Sequence, residues 1–356
     1  MPLRCARICV NLRNLRMLFL LLLLAGPLES AEIVEVRKIW DQAPHNAFTS
    51  LVRFRSRWFC SFREGKAHVS PDGAIRIITS KDGRDWESAA RLSSATADLR
   101  DPKLSITPDR RLMLTAAGAL HQPAEFKHQT FAWFSRDGHA WTQPQPIGEP
   151  NFWLWRVTWH GKEAYGVGYD TAGRNRARLY VARLTADGFR LTANRALFPP
   201  AEGREPTADR FFRGFPNEAS IIFLKDGTAL CLLRRDGDPA TAQLGKARRP
   251  YREWAWQDIG VRVGGPNLIC LPDGRIVAAV RLYDGKTRTS LCWLDPPSAR
   301  LTEFLTLPSG GDTSYAGLVW HGRVLWVSYY SSHEGKTSIY LAKVKLGEKT
   351  GTLAQR

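Results

Sequence analysis

Short runs of Val, Ile, Leu, Phe, Tyr and Trp alternate with turn residues through nearly the whole chain after residue 31, and helical periodicity is scarce. This pattern predicts an all-β protein. One unit recurs along the chain: an apolar strand, a tight turn and a second apolar strand. Six copies are found, at residues 50–63, 102–117, 156–169, 218–234, 267–281 and 315–330.

The spacing of these units predicts how they are arranged. Their turns recur at intervals of about 47 to 65 residues, close to what a four-stranded blade and its loops occupy. Six such units predict a six-bladed β-propeller over residues 31–346. The alternating segment 33–40 is expected to add a strand to the final blade, beside residues 338–344, and so to close the ring without a free edge.

A second repeated motif supports this architecture. The pattern S-x-D-G-x-x-W occurs at residues 80–86 and 135–141, and a degenerate copy without the Trp occurs at 185–188. Asp and Gly suit the turn between two strands, where the Asp side chain accepts backbone N–H bonds and the Trp packs beneath. These motif residues are therefore interpreted as structural.

The start of the chain has the features of a secretory signal. Four arginines precede an apolar run at 17–25, a Gly-Pro break follows, and the small residues Ser30 and Ala31 come next. The run has about half the length that a bilayer-spanning helix requires. We therefore expect a signal peptide at 1–30, a polar tail at 347–356, no membrane span in the mature chain, and a secreted or periplasmic protein.

Composition and charge narrow the choice of partners. Hydrophobic residues make up 44% and charged residues 24% of the 356 residues, which excludes disorder as the main state. The formal net charge is +17, and losing four arginines and one glutamate with the leader leaves +14. An exported basic protein meets anionic glycans more often than nucleic acid, so a glycan is the expected partner and nucleic acid is not. A solvated basic surface without a specific partner is the alternative.

The cysteines do not indicate a metal site. Two of the six leave with the leader, and the other four show no CxxC or His-paired spacing of the kind that binds zinc. Flanking apolar residues favour buried thiols for Cys60, Cys231, Cys270 and Cys292.

The repeated S-x-D-G-x-x-W turns on a six-bladed plan resemble those of the sialidase (neuraminidase) superfamily, and the resemblance covers essentially residues 40 to 346. The resemblance implies hydrolysis of terminal sialic acids with retention, by a Tyr nucleophile, a Glu that activates it, an Asp acid/base and three arginines on the sugar carboxylate. Because the anomeric carbon carries a carboxylate, a neutral Tyr approaches it with less repulsion than an ionised Asp. The phenol, with an ordinary pKa of about 10, then needs a neighbouring base.

Two segments carry the resemblance to the catalytic residues. The sequence PNEAS at 216–220, followed by LRR at 233–235, is similar to the family segment with the activating Glu and a carboxylate-binding Arg. The resemblance assigns these roles to Glu218 and Arg234, with Arg235 as a register alternative. The sequence TSYAGL at 313–318 resembles the segment of the nucleophile, which makes Tyr315 the candidate.

Structural explanations for these residues stay open at this stage. Glu218 could cap backbone groups at a strand start, and Tyr315 could be a rim residue packed against Trp153 or Trp155. The arginines could serve solubility only.

The remaining arginines of the triad are not fixed by the sequence. A second arginine would come from the fifth blade, where Arg281 ends a strand and Arg288 begins the next. At the first blade the chain departs from the family, because Ala47 stands where the first Arg is expected. Arg63 or Arg100 could take its place from a neighbouring strand end.

Further candidates lie in loops. The resemblance puts the acid/base Asp after the first hairpin, where His68 and Asp72 occur, and Asp72 is the candidate, with a simple turn as the alternative. The segment 328–335 is rich in hydrogen-bonding side chains, so Tyr330 and His333 are candidate ligands of sugar hydroxyls.

Two classes of function follow. The first hypothesis is an exported, monomeric, sialidase-like glycoside hydrolase that acts on a terminal anionic sugar and needs neither a metal nor an organic cofactor. A glycosidase or lyase for another acidic glycan is a variant of it. The second hypothesis is a glycan-binding propeller that has lost catalysis, because a lectin needs no proton donor beside the leaving oxygen.

Overall fold

The computed structural model describes residues 31–122, 125–185, 188–198 and 214–348. All of its regular elements are β-strands, as the hydrophobic alternation predicts. The strands are β1 (Ala31–Trp40), β2 (His45–Phe54), β3 (Arg57–Gly65), β4 (Ala74–Ser80), β5 (Glu87–Leu92), β6 (Ala97–Ile106), β7 (Leu112–Leu120), β8 (His128–Ser135), β9 (Gln145–Ile147), β10 (Phe152–His160), β11 (Glu163–Asp170), β12 (Ala177–Thr185), β13 (Gly188–Ala196), β14 (Phe215–Phe223), β15 (Ala229–Asp236), β16 (Gln243–Ala247), β17 (Ala255–Asp258), β18 (Val263–Cys270), β19 (Ile276–Leu282), β20 (Arg288–Asp295), β21 (Arg300–Thr306), β22 (Thr313–His321), β23 (Val324–Ser331) and β24 (Ser338–Leu346).

These strands form six antiparallel sheets of four strands each, which confirms the six-bladed propeller. Blades one to five are β2–β5, β6–β9, β10–β13, β14–β17 and β18–β21. Blade six has the order β1-β24-β23-β22, so the N-terminal strand closes the ring as expected. The predicted hairpins are the two inner strands of each blade.

Each innermost strand carries a β-bulge near its start. In β14, for example, Pro216 pairs with Arg235 and Ala219 with Leu233, so the inner strand has one extra residue there. The bulge residues in the six blades are 48–49, 101–102, 155–156, 217–218, 265–266 and 315–316. Because neighbouring inner strands run side by side around the axis, all six bulges open onto the same mouth.

The S-x-D-G-x-x-W turns connect third and fourth strands, away from the axis. The Asp82 carboxylate accepts the N–H groups of Arg84 and Asp85, at 2.8 and 3.2 Å. Asp137 accepts the N–H groups of the two residues that occupy the same positions in the second copy. The structural interpretation of these turns is confirmed, whereas the degenerate copy at 185–188 falls partly outside the described residues.

Several expectations concern residues beyond the described ranges. The leader at 1–30 and most of the tail at 347–356 lie outside them. Within the described ranges, no helix is long and apolar enough to cross a membrane. All four cysteines outside the leader are free, and they are buried except Cys270, which is half-buried.

Candidate active site

The bulges of blades four and six bring a phenol and a carboxylate together. The Tyr315 hydroxyl donates to Glu218 Oε1 across 2.5 Å. Arg234, from β15, donates through Nη1 to the same Oε1 at 2.9 Å and to the Tyr315 hydroxyl oxygen at 3.2 Å. Glu218 and Tyr315 are 4% and 8% exposed, so the three groups interact away from bulk water. The structure thus joins three of the residues that the sequence nominates.

Gly265, in the bulge of blade five, completes the carboxylate's environment. Its N–H donates to Glu218 Oε2 at 2.7 Å. Its φ of +56° lies in the left-handed region, and a Cβ at this position would come within 2.9 Å of the Tyr315 ring. A side chain here would therefore displace the phenol.

Electrostatics favour an ionised Glu218 beside a protonated Tyr315. Burial alone would raise the pKa of Glu218, but Arg234, the Tyr315 hydroxyl and the Gly265 N–H together lower it below its usual value. Burial, followed by the charge of Glu218, raises the pKa of the Tyr315 phenol well above its usual value. The pair at rest is therefore a phenol hydrogen-bonded to a carboxylate, which is poised to accept its proton.

Arg281 and Tyr330 both lie against the ring of Tyr315. The Arg281 guanidinium lies 5.1 Å from the centre of the Tyr315 ring and donates to the Tyr330 hydroxyl at 2.8 Å. The Tyr330 hydroxyl in turn donates to Asp312 Oδ1 at 2.7 Å. Of the two fifth-blade alternatives, the structure brings Arg281 to the site.

Aromatic rings hold Tyr315 in place. Phe48 and Trp155, from the bulges of blades one and three, contact its ring edge-on with centroid distances of 5.3 and 5.6 Å. Tyr315 itself has a φ of +53°, an uncommon conformation for a residue with a side chain. The packing against Trp155 that the sequence suggests as a structural role is present, and it accompanies the contact with Glu218.

Asp101, in the bulge of blade two, is a buried acid that the sequence did not single out. It is 7% exposed, and Oδ1 has no hydrogen-bond partner among the described residues. Burial raises its pKa, and it is close enough to Glu218 for the two charges to interact. Lys103 beside it is also buried, and burial lowers the pKa of that ammonium. The position of Asp101 in the repeat, one residue before that of Glu218, is the signal that could have found it.

A second group that the sequence did not assemble lies at the rim. Asp312 Oδ2 is 3.0 Å from His45 Nε2 and 2.7 Å from His68 Nδ1. Asp312 immediately precedes β22 in a Gly-Gly-Asp turn, which gave no repeat or motif signal.

Two predicted arginines from the first blades differ in position. Arg100 reaches the site, because its guanidinium lies 5.4 Å from the centre of the ring of Phe48, which contacts Tyr315. Arg63 does not, since it is fully buried and donates to Asp98, to the Ala67 carbonyl and to Ser70. Arg63 therefore anchors the loop after β3 and is unsuited to replace the arginine that is expected at position 47.

Two other arginines that the sequence nominates have their contacts away from Tyr315 and Glu218. Arg288 pairs with Glu303 at 2.6 Å and Asp284 at 3.1 Å, on the outer strands of blade five. Arg235 points away from Glu218 and bonds Thr241 and Asp258. Adjacent residues of an extended strand face opposite sides of the sheet, which explains why Arg234 and Arg235 separate.

Asp72 and His333 stay within their own loops. Asp72 is exposed and accepts the Lys66 N–H, and a bond from Ser70 lowers the pKa of its carboxyl. His333 Nδ1 lies 2.9 Å from Ser331 Oγ, and its ring packs against Tyr340. Neither residue contacts Tyr315 or Glu218 in the described structure.

Comparison with known proteins finds solved structures that share this fold. No family model matches the chain, and no curated protein matches it in sequence. A protein of unknown function from Dyadobacter fermentans DSM 18053 is 19% identical, covering 90% of this chain and 100% of that one, with a TM-score of 0.72. The α-L-arabinofuranosidase Arb93A of Fusarium graminearum is 13% identical over 88% of this chain and 98% of that one, with a TM-score of 0.67.

A sialidase is also similar in structure. The Trypanosoma rangeli sialidase is 11% identical, covering 90% of this chain but 60% of that one, with a TM-score of 0.59. At these identities the likeness concerns the fold, a six-bladed propeller that sialidase and arabinofuranosidase structures share.

Proposed function

We propose that this protein is a retaining glycoside hydrolase that acts on a terminal anionic sugar. The observation that carries the proposal is the 2.5 Å hydrogen bond from the Tyr315 hydroxyl to Glu218 Oε1. Arg234 donates both to this Oε1 and to the Tyr315 oxygen. A buried phenol paired with an ionised carboxylate is an activated nucleophile, because the carboxylate can take the proton as the phenol oxygen attacks.

In the first step, Tyr315 Oη forms a bond to the anomeric carbon while its proton passes to Glu218. The bond from the anomeric carbon to the leaving oxygen breaks, and the leaving oxygen takes a proton from an acid. In the second step, that conjugate base removes a proton from water, whose oxygen displaces Tyr315 from the anomeric carbon. The Glu218 proton then returns to Tyr315.

We propose Asp101 as the acid in place of Asp72. A general acid must hold its proton near neutral pH, and burial raises the pKa of Asp101. The carboxyl of Asp72 is exposed, and its Ser70 bond lowers its pKa, so it would already be ionised. Oδ1 of Asp101 is buried and has no hydrogen-bond partner in the described structure, so no neighbouring donor fixes the carboxyl in its ionised form through this oxygen.

The choice of an anionic sugar rests on the guanidinium groups around Tyr315. Arg234, Arg281 and Arg100 surround its ring or that of its neighbour Phe48. Arginine suits a carboxylate because its planar group donates two parallel hydrogen bonds. The buried Ala47 supplies no such group, so we propose that Arg100, from blade two, provides the third guanidinium for the carboxylate of a related acidic sugar or of sialic acid.

A uronate lyase is the second candidate, and the observation that favours it is the approach of His45 and His68 to Asp312 near Tyr330 and Arg281. A lyase abstracts the proton beside a carboxylate and eliminates the leaving oxygen, which needs a base, a proton donor and a cation on the carboxylate. Its product has a carbon–carbon double bond that absorbs ultraviolet light, whereas the product of a hydrolase does not.

The test compares the full-length mature protein with Tyr315→Phe, Glu218→Gln and Asp101→Asn on aryl sialosides, aryl uronides and neutral aryl glycosides. We expect release from an anionic glycoside, with kcat/KM at least about a thousandfold lower in Tyr315→Phe. Asp101→Asn should lose less on an aryl substrate with a good leaving group than on an alkyl glycoside, because the former needs little protonation.

Other outcomes would redirect the proposal. An unsaturated product from a uronate polymer would establish the lyase, and binding of an acidic glycan without turnover would establish a lectin. Turnover that is unchanged in Tyr315→Phe would remove the phenol from its role.

A further inference from the structure

Three side chains from separate segments meet where blades one and six adjoin. His45 opens β2, His68 lies in the loop between β3 and β4, and Asp312 precedes β22. Their ligand atoms, His45 Nε2, His68 Nδ1 and Asp312 Oδ2, all lie within 4.8 Å of one another. Across the described ranges, no other three side chains of His, Cys, Asp or Glu converge in this way.

We propose that His45, His68 and Asp312 bind a divalent transition-metal ion, with Zn²⁺ as the best match. Two imidazole nitrogens and one carboxylate oxygen form a donor set that suits zinc, whereas Ca²⁺ and Mg²⁺ prefer oxygen donors alone. Tetrahedral bonds of about 2.0 to 2.2 Å place neighbouring ligand atoms about 3.3 Å apart. The observed separations of 3.0 and 2.7 Å need only a small outward movement to admit an ion.

The second oxygen of Asp312 is already held in the manner of a ligating carboxylate. Oδ1 accepts the Tyr330 hydroxyl at 2.7 Å and faces Arg281 Nη2 at 3.4 Å. Hydrogen bonds of this kind orient a carboxylate so that its other oxygen meets the metal. Here Oδ2 is that oxygen, and it faces the two imidazoles.

The surroundings of the two imidazoles also suit an ion. His45 Nδ1 is buried and has no hydrogen-bond partner in the described structure. Nε2, the other nitrogen of this ring, faces Asp312 Oδ2 at 3.0 Å and is the atom that would bind the ion. The His68 and Asp312 side chains are 49% and 27% exposed, so an ion can enter from solvent and water can complete its coordination.

An ion at this point would add a positive centre beside Arg281 and Tyr330, which adjoin the ring of Tyr315. Such a centre takes an anionic or hydroxyl oxygen of a glycan. The inference does not rest on the proposed hydrolase activity, because a lectin would hold the ion equally well.

The test measures metal binding and not turnover. The full-length mature protein, free of any affinity tag that contains histidine, is dialysed against a chelator and then titrated with Zn²⁺ by calorimetry and with Co²⁺ by visible absorption. We expect one Zn²⁺ per chain with a dissociation constant in the micromolar range or tighter, and a Co²⁺ spectrum of a site with low coordination number.

Two variants test the ligands. His68→Ala, in an exposed loop position, and Asp312→Asn should each weaken Zn²⁺ binding by about a hundredfold or more. His139→Ala, an exposed histidine in the turn after β8, is the matched control and should bind as the parent does. Thermal unfolding of each apo variant checks that the fold is retained.

Three results would overturn the proposal. One is Zn²⁺ binding weaker than millimolar in the parent protein, and another is equal binding in His68→Ala and His139→Ala. The third is occupancy of the site by Ca²⁺ at the concentration at which Zn²⁺ fills it, which would exclude a transition-metal site.

Discussion

Arg63 with Asp98 and Arg234 with Glu218 are two enclosed ion pairs with the same 2.9 Å separation, yet their surroundings differ. The other N–H groups of Arg63 donate to the Ala67 and Ser70 carbonyl oxygens and to the Ser70 hydroxyl, so Arg63 links the loop after β3 to Asp98 on β6. Arg234 instead shares its Nη1 with the phenol of Tyr315. The difference teaches that the identity of the third partner, and not burial or pairing, distinguishes a loop anchor from a candidate reaction centre.

The largest effect is expected at the loop anchor. Arg63→Ala leaves Asp98 buried without its partner and releases the loop at 66–72, so the free energy of unfolding should fall by about 3 to 5 kcal/mol. Urea denaturation at neutral pH measures the loss. The control is Arg183→Ala, because the Arg183 side chain is 59% exposed where it pairs with Glu163. This variant should lower the free energy of unfolding by no more than about 1 kcal/mol. Equal losses in the two variants would contradict the role given to Arg63.

The second largest effect is expected at Gly265, where a comparison with Gly274 separates backbone strain from displacement of the Tyr315 phenol. Gly274→Ala changes a residue with a φ of +86° in open space and should cost about 1 to 2 kcal/mol of stability without affecting the site. Gly265→Ala carries a similar strain and also drives a methyl group against Tyr315, so it should cost more stability. Turnover of the anionic glycoside should also fall by tenfold or more in this variant alone. Similar turnover in both variants would show that the position of the phenol is not critical.

A smaller effect concerns pH. The folded-state pKa of Glu218 is lowered, so its contribution to stability is present above the ordinary glutamate pKa of about 4.3 and is lost as pH falls through the folded-state value. The stability of the parent protein should therefore fall more steeply below that pH than the stability of Glu218→Gln. Parallel curves from urea denaturation at a series of pH values would mean that Arg234 and Tyr315 do not favour the ionised carboxylate.

The smallest effect is expected at the arginine that the sequence could not exclude. Arg288→Ala breaks pairs with Glu303 and Asp284 on the outer strands and should change stability by about 1 kcal/mol or less. It should leave turnover within twofold of the parent, whereas Arg281→Ala should reduce it strongly. Equal loss of turnover in the two variants would reopen the choice between them.

The sequence predicted the architecture well, because alternation, turn spacing and repeats are local properties that each blade expresses by itself. It also nominated Glu218, Arg234 and Tyr315, through a resemblance that covers short strand starts. Asp101 escaped notice because its position in the repeat is its one sequence signal, and Asp312 escaped notice because nothing local marks it. Their significance comes from a bulge that turns one residue toward the axis, and from a loop that only the closed ring brings near blade one.

The loop after β3 shows how side-chain direction escapes the sequence. Asp72 and Arg63 lie in or beside the loop where the resemblance to sialidases puts an acid, yet Arg63 bonds carbonyl oxygens of this loop and Asp72 accepts the Lys66 N–H. Side-chain direction at a strand end depends on register and on neighbours distant in sequence, and neither can be deduced from one chain.

Blade six is assembled from both ends of the folded region, since β1 lies beside β24 while Tyr315 lies on β22 of the same sheet. The nucleophile candidate is thus synthesised near the end of the ring, and its sheet is completed by β1, the first strand of the ring to be made. During synthesis, the four strands of blade six can therefore pair only after β24 has emerged and met the waiting β1. Turnover of the proposed kind would then report completed assembly, because Tyr315 lies on the sheet that joins the two ends of the folded region.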